Sequence, residues 1–420
     1  MDTLHRVRRP RLFFLSVYFF GLSFLWNGLS LVILPMLVAT LVPEAWKNAY
    51  LGLLSSAGLA LAALVQPLSG HLSDRTATPW GRRRPWILAG TLGDFVCLAL
   101  LATAGGFPAL AVGYLLLQVS SNVAHGPAFG LIPDLVPPGR RGAASGAKGL
   151  AEIAGLIAGG LVTGYLAGQG RPGAGLAAIG LVLVTALAAT LWGVREEPVP
   201  PSSRDGPRRP PPLDLQGALD GLREAQARHS AYLWLLAARL LMLTAITPVQ
   251  GFAQYYVQDV LRVPNPAAAT GQLAAAIGLS VLVAAYPAGI LADRWGAWPL
   301  NVASGLLAGF GIAGMVLAQT LGQVLALASS VGLAMGVFVS ANWALATRLV
   351  PEEAGGRYLG LSNLATAGAG MLGRLAGPLI DAVNLVRPNA GYLALFATCS
   401  LLMWMGTALL FQVRQGSVPT

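Results

Sequence analysis

Five ionisable side chains stand inside long apolar stretches of the 420-residue sequence: Asp94, His125, Glu152, Arg239 and Arg374. A charge at such a place costs about 2.5–3.5 kcal/mol on insertion scales, so these groups must pair, face water or do chemistry. The chemistry open to them is proton carriage and solute binding. A carboxylate held between burial and a nearby cation can load and release a proton, which points first to Glu152 and second to Asp94. A static ion pair for Glu152, and a structural partnership for Asp94, are the competing readings. His125 titrates near neutrality as a free side chain and is a candidate for a relay or a solute contact, with plain packing as the alternative. Arg374 and Asp381 lie seven residues apart on one helix face and are expected to pair with other segments rather than with each other.

Around these charges runs a set of neutral polar and aromatic residues: Trp26, Asn27, Gln118, Asn122, Gln250, Gln254, Tyr255, Asn342 and Trp343. Amides donate to and accept from hydroxyls, and aromatic faces cover the apolar side of a sugar ring. With His125 and Arg239 they form the candidate solute pocket. Each is equally suited to interhelical bonding or to an interfacial position.

Other chemistry is excluded by what the sequence lacks. The Cys count is 2, and both stand in apolar runs, so neither a disulfide framework nor a metal cluster is expected. No phosphate-cradling Gly-x-x-x-x-Gly-Lys motif occurs, so no ATP-driven step, no cofactor and no enzymatic activity are expected.

The elements that must position these residues follow from composition. Hydrophobic residues make up 55% of the chain and charged residues 10%, against about 25% in a soluble protein. Twelve apolar runs, near 12–40, 49–72, 86–104, 109–133, 144–168, 174–194, 231–258, 267–291, 299–318, 321–347, 358–380 and 391–413, are each long enough to cross about 30 Å of hydrocarbon as a helix. The first is too long for a cleaved signal sequence and is expected to remain as a span. The net charge of +10 reflects topology rather than a nucleic-acid partner: of 27 Lys and Arg, 21 fall on one side of the membrane, 4 on the other and 2 within spans. Both termini are therefore expected in the cytoplasm, in a multi-pass plasma (inner) membrane protein.

A proline-rich polar stretch at 195–230 separates residues 1–194 from 231–420, giving two six-helix halves joined by a cytoplasmic linker. Leu215, Leu219 and Leu222 share one face of a short helix within that linker, suited to the membrane surface or to a plain connector. The halves echo each other. Gly70-His71-Leu72-Ser73-Asp74-Arg75 closes the second run and Gly289-Ile290-Leu291-Ala292-Asp293-Arg294 the eighth, 219 residues later. Leu135-Val136-Pro137 with Arg141, and Leu349-Val350-Pro351 with Arg357, repeat after the fourth and tenth runs. Six spans duplicated in parallel imply halves related by an axis along the membrane normal.

Gly-x-Leu-[Ser/Ala]-Asp-Arg after spans 2 and 8 resembles the signature loop of the major facilitator superfamily. The resemblance covers the whole chain and implies an all-α integral membrane fold of twelve helices. A finer one joins Asp74-Arg75 and Trp80-Gly81-Arg82-Arg83-Arg84-Pro85-Trp86 with Asn122, Gly126-Pro127, Pro133-Asp134 and Phe24-x-Trp26. It is similar to the sucrose–proton symporters within the glycoside-pentoside-hexuronide group. Plant sucrose carriers have an acid and an arginine, tied to proton and sugar binding, where this chain has Gln118 and Phe129. In the resembled fold, spans 1, 4, 7 and 10 line the cavity.

The resemblance implies a cytoplasmic gate of Asp74, Arg75, Arg82, Arg83, Arg84, Asp134 and Arg141, with Asp293, Arg294 and Arg357 in the second half. Plain positive-inside topology explains the arginines but not the repeated Asp. The expected function is secondary transport by alternating access, with the proton as coupling ion and a small solute, a sugar or glycoside, as cargo, along a path formed within one chain. Proton-driven export of amphipathic compounds, or a non-transporting assembly role on the same fold, are the alternatives.

Overall fold

A computed structural model describes residues 12–196, 230–349 and 355–416, without the side chains of 355–360 and 414–416. The expected linker helix, Pro351 and the Arg357 side chain lie outside the described residues.

Among those residues the secondary structure is helical. Before the linker come α1 (Leu12–Gly28), a π-turn over Leu29–Ile33, α2 (Leu34–Leu41), α3 (Lys47–Asp74), α4 (Arg84–Ala102), α5 (Phe107–Leu135), α6 (Arg141–Gly168) and α7 (Pro172–Gly193). After it come α8 (Ser230–Gly251), α9 (Ala253–Asp259), α10 (Pro266–Trp295), α11 (Ala297–Gly314), α12 (Leu321–Leu349), α13 (Gly355–Arg374), α14 (Ala376–Val386) and α15 (Ala390–Gly416). Proline stands in the first turn of α4, α5, α7 and α10, where its missing N–H leaves no bond unmade. The Asn265 side chain accepts from the Ala268 amide at 3.1 Å and caps α10.

Among the described residues, eleven helices are long and apolar enough to cross a membrane, α1 and α2 counting as one. The expected eleventh run behaves differently. It divides at Leu375 into α13 and α14, and its Gly- and Ala-rich first part is less apolar than the spans around it. The two pieces in series fill the place of the twelfth crossing.

The packing repeats with an offset of six spans. In the first half α1 packs on α6 and α7, α3 on α5, and α4 on α5 and α7. In the second, α8 packs on α13 and α15, α10 on α12, and α11 on α12 and α15. The halves meet reciprocally: α6 lies against α10, and α3 against α13 and α14. This is the duplicated architecture that the two sequence echoes predict.

Close contact depends on small residues. A Cβ at Gly159 would meet the Phe24 backbone at 2.6 Å, and one at Gly271 would strike the Gly160 carbonyl. The row of glycines on α6 thus serves two partners, Gly155 and Gly159 facing α1, Gly160 and Gly164 facing α10.

Candidate functional site: the space between the halves

The helix α3 has 28 residues, about 42 Å at 1.5 Å per residue, so Lys47 and Asp74 mark opposite faces of the bundle. Asp74 lies on the arginine-rich face. There Arg83 is the centre of a network: it pairs with Asp74, its Nε lies 3.0 Å from Asp134 Oδ2, and its Nη1 donates to the Gly70 carbonyl at 3.1 Å. Arg82 adds a 2.6 Å contact to Asp134. A Cβ at Gly130 would meet the Arg83 guanidinium at 2.5 Å, so the glycine gives the charge its seat.

The remaining candidates at this face do other work. Arg84 donates to the Leu191 carbonyl at 2.6 Å, and Arg141 to the Pro133 and Val136 carbonyls at 3.0 and 3.2 Å, closing the end of α5. Arg75, Asp293 and Arg294 are exposed. Glu196 joins this network, although the sequence reading passed over it: its carboxylate accepts from the Arg83 and Arg84 amides at 2.9–3.1 Å. Its position immediately after an apolar run and opposite an arginine triplet was the available signal. Every one of these contacts stays within the first half. Among the described residues, no side-chain hydrogen bond or ion pair joins the halves at this face.

The opposite face is closed. Lys47 Nζ lies 2.7 Å from Asp259 Oδ1. Asp381 accepts from Asn48 Nδ2 at 2.8 Å and from the Ala49 amide at 2.6 Å, and Tyr392 donates to Asp259 Oδ2 at 2.6 Å. Two expected pocket residues belong to this seal instead. Tyr255 donates to the Pro35 carbonyl at 2.8 Å, and Gln254, with its amide nitrogen turned to the π-turn, donates to the Val32 and Leu31 carbonyls at 2.8 and 2.9 Å. The π-turn supplies these acceptors because its backbone bonding is displaced from the α pattern.

Between the faces, several expected pocket residues come together. Trp26 meets the Tyr114 ring edge-on at 6.4 Å, and Gln118 Nε2 donates to the Tyr114 hydroxyl at 2.8 Å. Asn122 turns back on its own helix and donates to the Gln118 carbonyl at 2.8 Å. Asn27 and Gln250 line one small cleft between α1 and α10. Tyr114 is the member that the sequence reading omitted, since a tyrosine in an apolar run carries no positional signal.

On the second half, Arg239 donates from Nη1 to Asn342 Oδ1 at 2.5 Å and from Nε to Thr366 at 3.1 Å. Trp343, the next residue on α12, is exposed and takes no part in that contact. His125 lies apart, stacked on Phe129 at 4.8 Å and edge-on to Phe19.

The two carboxylate candidates are differently placed. Glu152 is partly exposed and bonded to Lys148 of its own helix at 2.6 Å, while Lys148 also lies over the Phe19 and Phe129 rings. Asp94 is fully buried behind α5: Oδ1 accepts from Ser120 at 2.5 Å, and Oδ2 has no partner.

A fold of two repeated helical halves, a charge network at one face and a seal at the other define a membrane carrier rather than an enzyme. Residues 12–374 match the Major Facilitator Superfamily, and the chain belongs to that family. It is 30% identical over 132 residues to "Sucrose transport protein SUC4" of Arabidopsis thaliana, a match that takes in 27% of this chain and 25% of that transporter's length. It is 26% identical to "Multidrug resistance protein MdtG" of Dickeya zeae (strain Ech586) over 85% of this chain and 82% of that one. Among solved structures, a bacterial homologue of the human lysosomal transporter Spinster superposes with TM-score 0.73 at 16% identity, covering 96% of each chain. A D-xylose–proton symporter gives 0.69 at 16% identity over 94% of this chain and 97% of its own. The chain is an integral, multi-pass membrane transporter of a small molecule.

Proposed function

We propose that this transporter carries a sugar or glycoside together with a proton, by rocking its two six-helix halves about a midplane site. The observation that carries the reading is the convergence of Trp26, Tyr114 and Gln118 beneath the sealed face, an aromatic surface beside an amide as a hydroxylated ring requires. The local likeness to a sucrose transporter supports it. The positive-inside rule places the arginine-rich face in the cytoplasm of the plasma membrane, so the conformation described is the inward-open one. Opening of the Lys47–Asp259–Asp381 seal, with closure around Arg83, is then the other half of the cycle. Residues 1–194 and 231–420 move as the two bodies, and one chain suffices for the path.

Glu152 is the coupling carboxylate of this scheme. It is partly exposed and salt-bridged to Lys148, so protonation releases the lysine and deprotonation restores the pair. The Arg83 network is the cytoplasmic gate.

Counterflow in liposomes holding the purified protein tests the cargo. Preloading with sucrose, maltose, glucose, glucuronate or glucose 6-phosphate should drive accumulation of the same labelled compound. Counterflow with none of them, in vesicles whose protein is folded, would reject this reading.

A second reading, export of amphipathic compounds, has its own support. The multidrug resistance relative matches most of the chain, and the cleft between α8 and α10 is lined by Val249, Leu273 and Ile277. Drug sensitivity of a deletion strain, restored by the gene, would favour it.

A further inference from the structure

Arg374 ends α13 and is half-buried beneath the sealed face. Its backbone carbonyl comes against Gly52, five residues or about 8 Å inside Lys47 along α3. A Cβ at Gly251 would collide with its Nη1, so the guanidinium occupies the space which that glycine leaves open. Across the interface, its charge is within electrostatic range of the Tyr114 phenol. Yet Nε and Nη1 are buried without a hydrogen-bond partner.

The second membrane arginine is also without a carboxylate. Arg239 bonds to the neutral Asn342 and Thr366, and Thr366 lies eight residues, about 12 Å, from Arg374 along α13. None of the ion pairs among the described residues involves either arginine. Glu152 is taken by Lys148, Asp94 is buried against Ser120, and Asp381 is held by Asn48 and the Ala49 amide. The end of α13 supplies part of the compensation through its carbonyl dipoles, but it leaves two directed N–H groups unmet. An uncompensated guanidinium in a membrane protein is expensive, and a fork of unmet donors matches the geometry of a planar oxyanion.

We infer that Arg374 is the binding site for an oxyanion, a carboxylate or phosphate group borne by the transported solute, with Arg239 as a way-station between it and the arginine-rich face. Tyr114, within electrostatic range of Arg374, also meets Trp26 and Gln118, so the anionic group and the rest of the solute are held by neighbouring residues. The inference rests on the transporter reading and deepens it: the sugar or glycoside carried bears an acidic or phosphate group. Bound anion bridges Arg374 to the Tyr114 side and makes closure around cargo favourable.

Equilibrium dialysis of labelled inorganic phosphate against the purified full-length protein tests it, with glucose, glucuronate and glucose 6-phosphate as competitors. The expected result is saturable binding of one phosphate per chain, weakened at least about tenfold in Arg374→Gln, with Arg374→Lys falling between. Arg239→Gln should weaken it less. Elution as a single species and an unchanged melting temperature identify the variants that are folded. No saturable phosphate binding, or binding in folded Arg374→Gln and Arg374→Lys equal to that of the parent, would overturn the inference. Competition by glucuronate or glucose 6-phosphate, and not by glucose, would place the sugar and the anion in one cargo. Phosphate binding lost in Arg374→Gln but untouched by any of the three would uphold the anion site and remove the sugar from the proposed function.

Discussion

Lys47 and Asp259 stand 212 residues apart in sequence and 2.7 Å apart in space, an ion pair that fastens the start of the second span to the end of the seventh. Lys47 is buried and Asp259 partly so, and Tyr392 completes the Asp259 carboxylate. The pair is the visible cause of the closed face. Arg83 builds the counterpart at the other face, but inside one half, so it holds a shape without yet holding the halves together.

Removing the seal should change the resting state. In Asp381→Ala, the Asn48 amide and the Ala49 N–H lose their acceptor at a buried site, worth about 2–3 kcal/mol, or a 30- to 150-fold shift between conformations. Spin labels on the closed face should report a longer distance between halves, and labels on the arginine-rich face a shorter one.

A single methyl-bearing side chain at the α6–α10 contact should do the same by sterics. Gly271→Val would drive its side chain into the Gly160 carbonyl, so the closed face cannot form. Transport should fall to background while the protein still inserts and elutes as one species, because the clash is absent when the halves part on that side.

At the arginine-rich face, Arg83→Gln leaves Asp74 and Asp134 without their shared cation. Arg83 is only 6% exposed, so a loss of about 2–4 kcal/mol is expected, read as a lower melting temperature of the solubilised protein. Arg82→Gln, at a more exposed position, should have a much smaller effect.

What was legible in the sequence divides along these contacts. The spans and the duplication follow from apolar run length and a repeated hexapeptide, and the Asp74–Arg83–Asp134 group from the family resemblance of the motifs that hold it. The seal has no such signal: Lys47, Asn48, Asp259 and Asp381 meet only because three spans, one from the first half and two from the second, converge. For the same reason Gln254 and Tyr255 read as pocket residues, although their partners are backbone carbonyls of the first span. Arg374 was visible as a rare charge. Its lack of a carboxylate needed the packing of α8, α13 and α5 around it.

The two carboxylates should separate by function. Asp94→Asn keeps the Ser120 bond, since an amide oxygen still accepts, and should leave proton-driven transport at near the parent rate. A loss of proton coupling in that variant, with counterflow intact, would move the coupling role from Glu152 to Asp94.

The most direct measurement is proton movement itself. In liposomes loaded with an internal pH dye and holding the purified protein, addition of the cargo found by counterflow should acidify the interior. Glu152→Gln should abolish that signal and leave counterflow intact. Cargo entry with no change in internal pH, in vesicles tight to protons, would contradict proton symport.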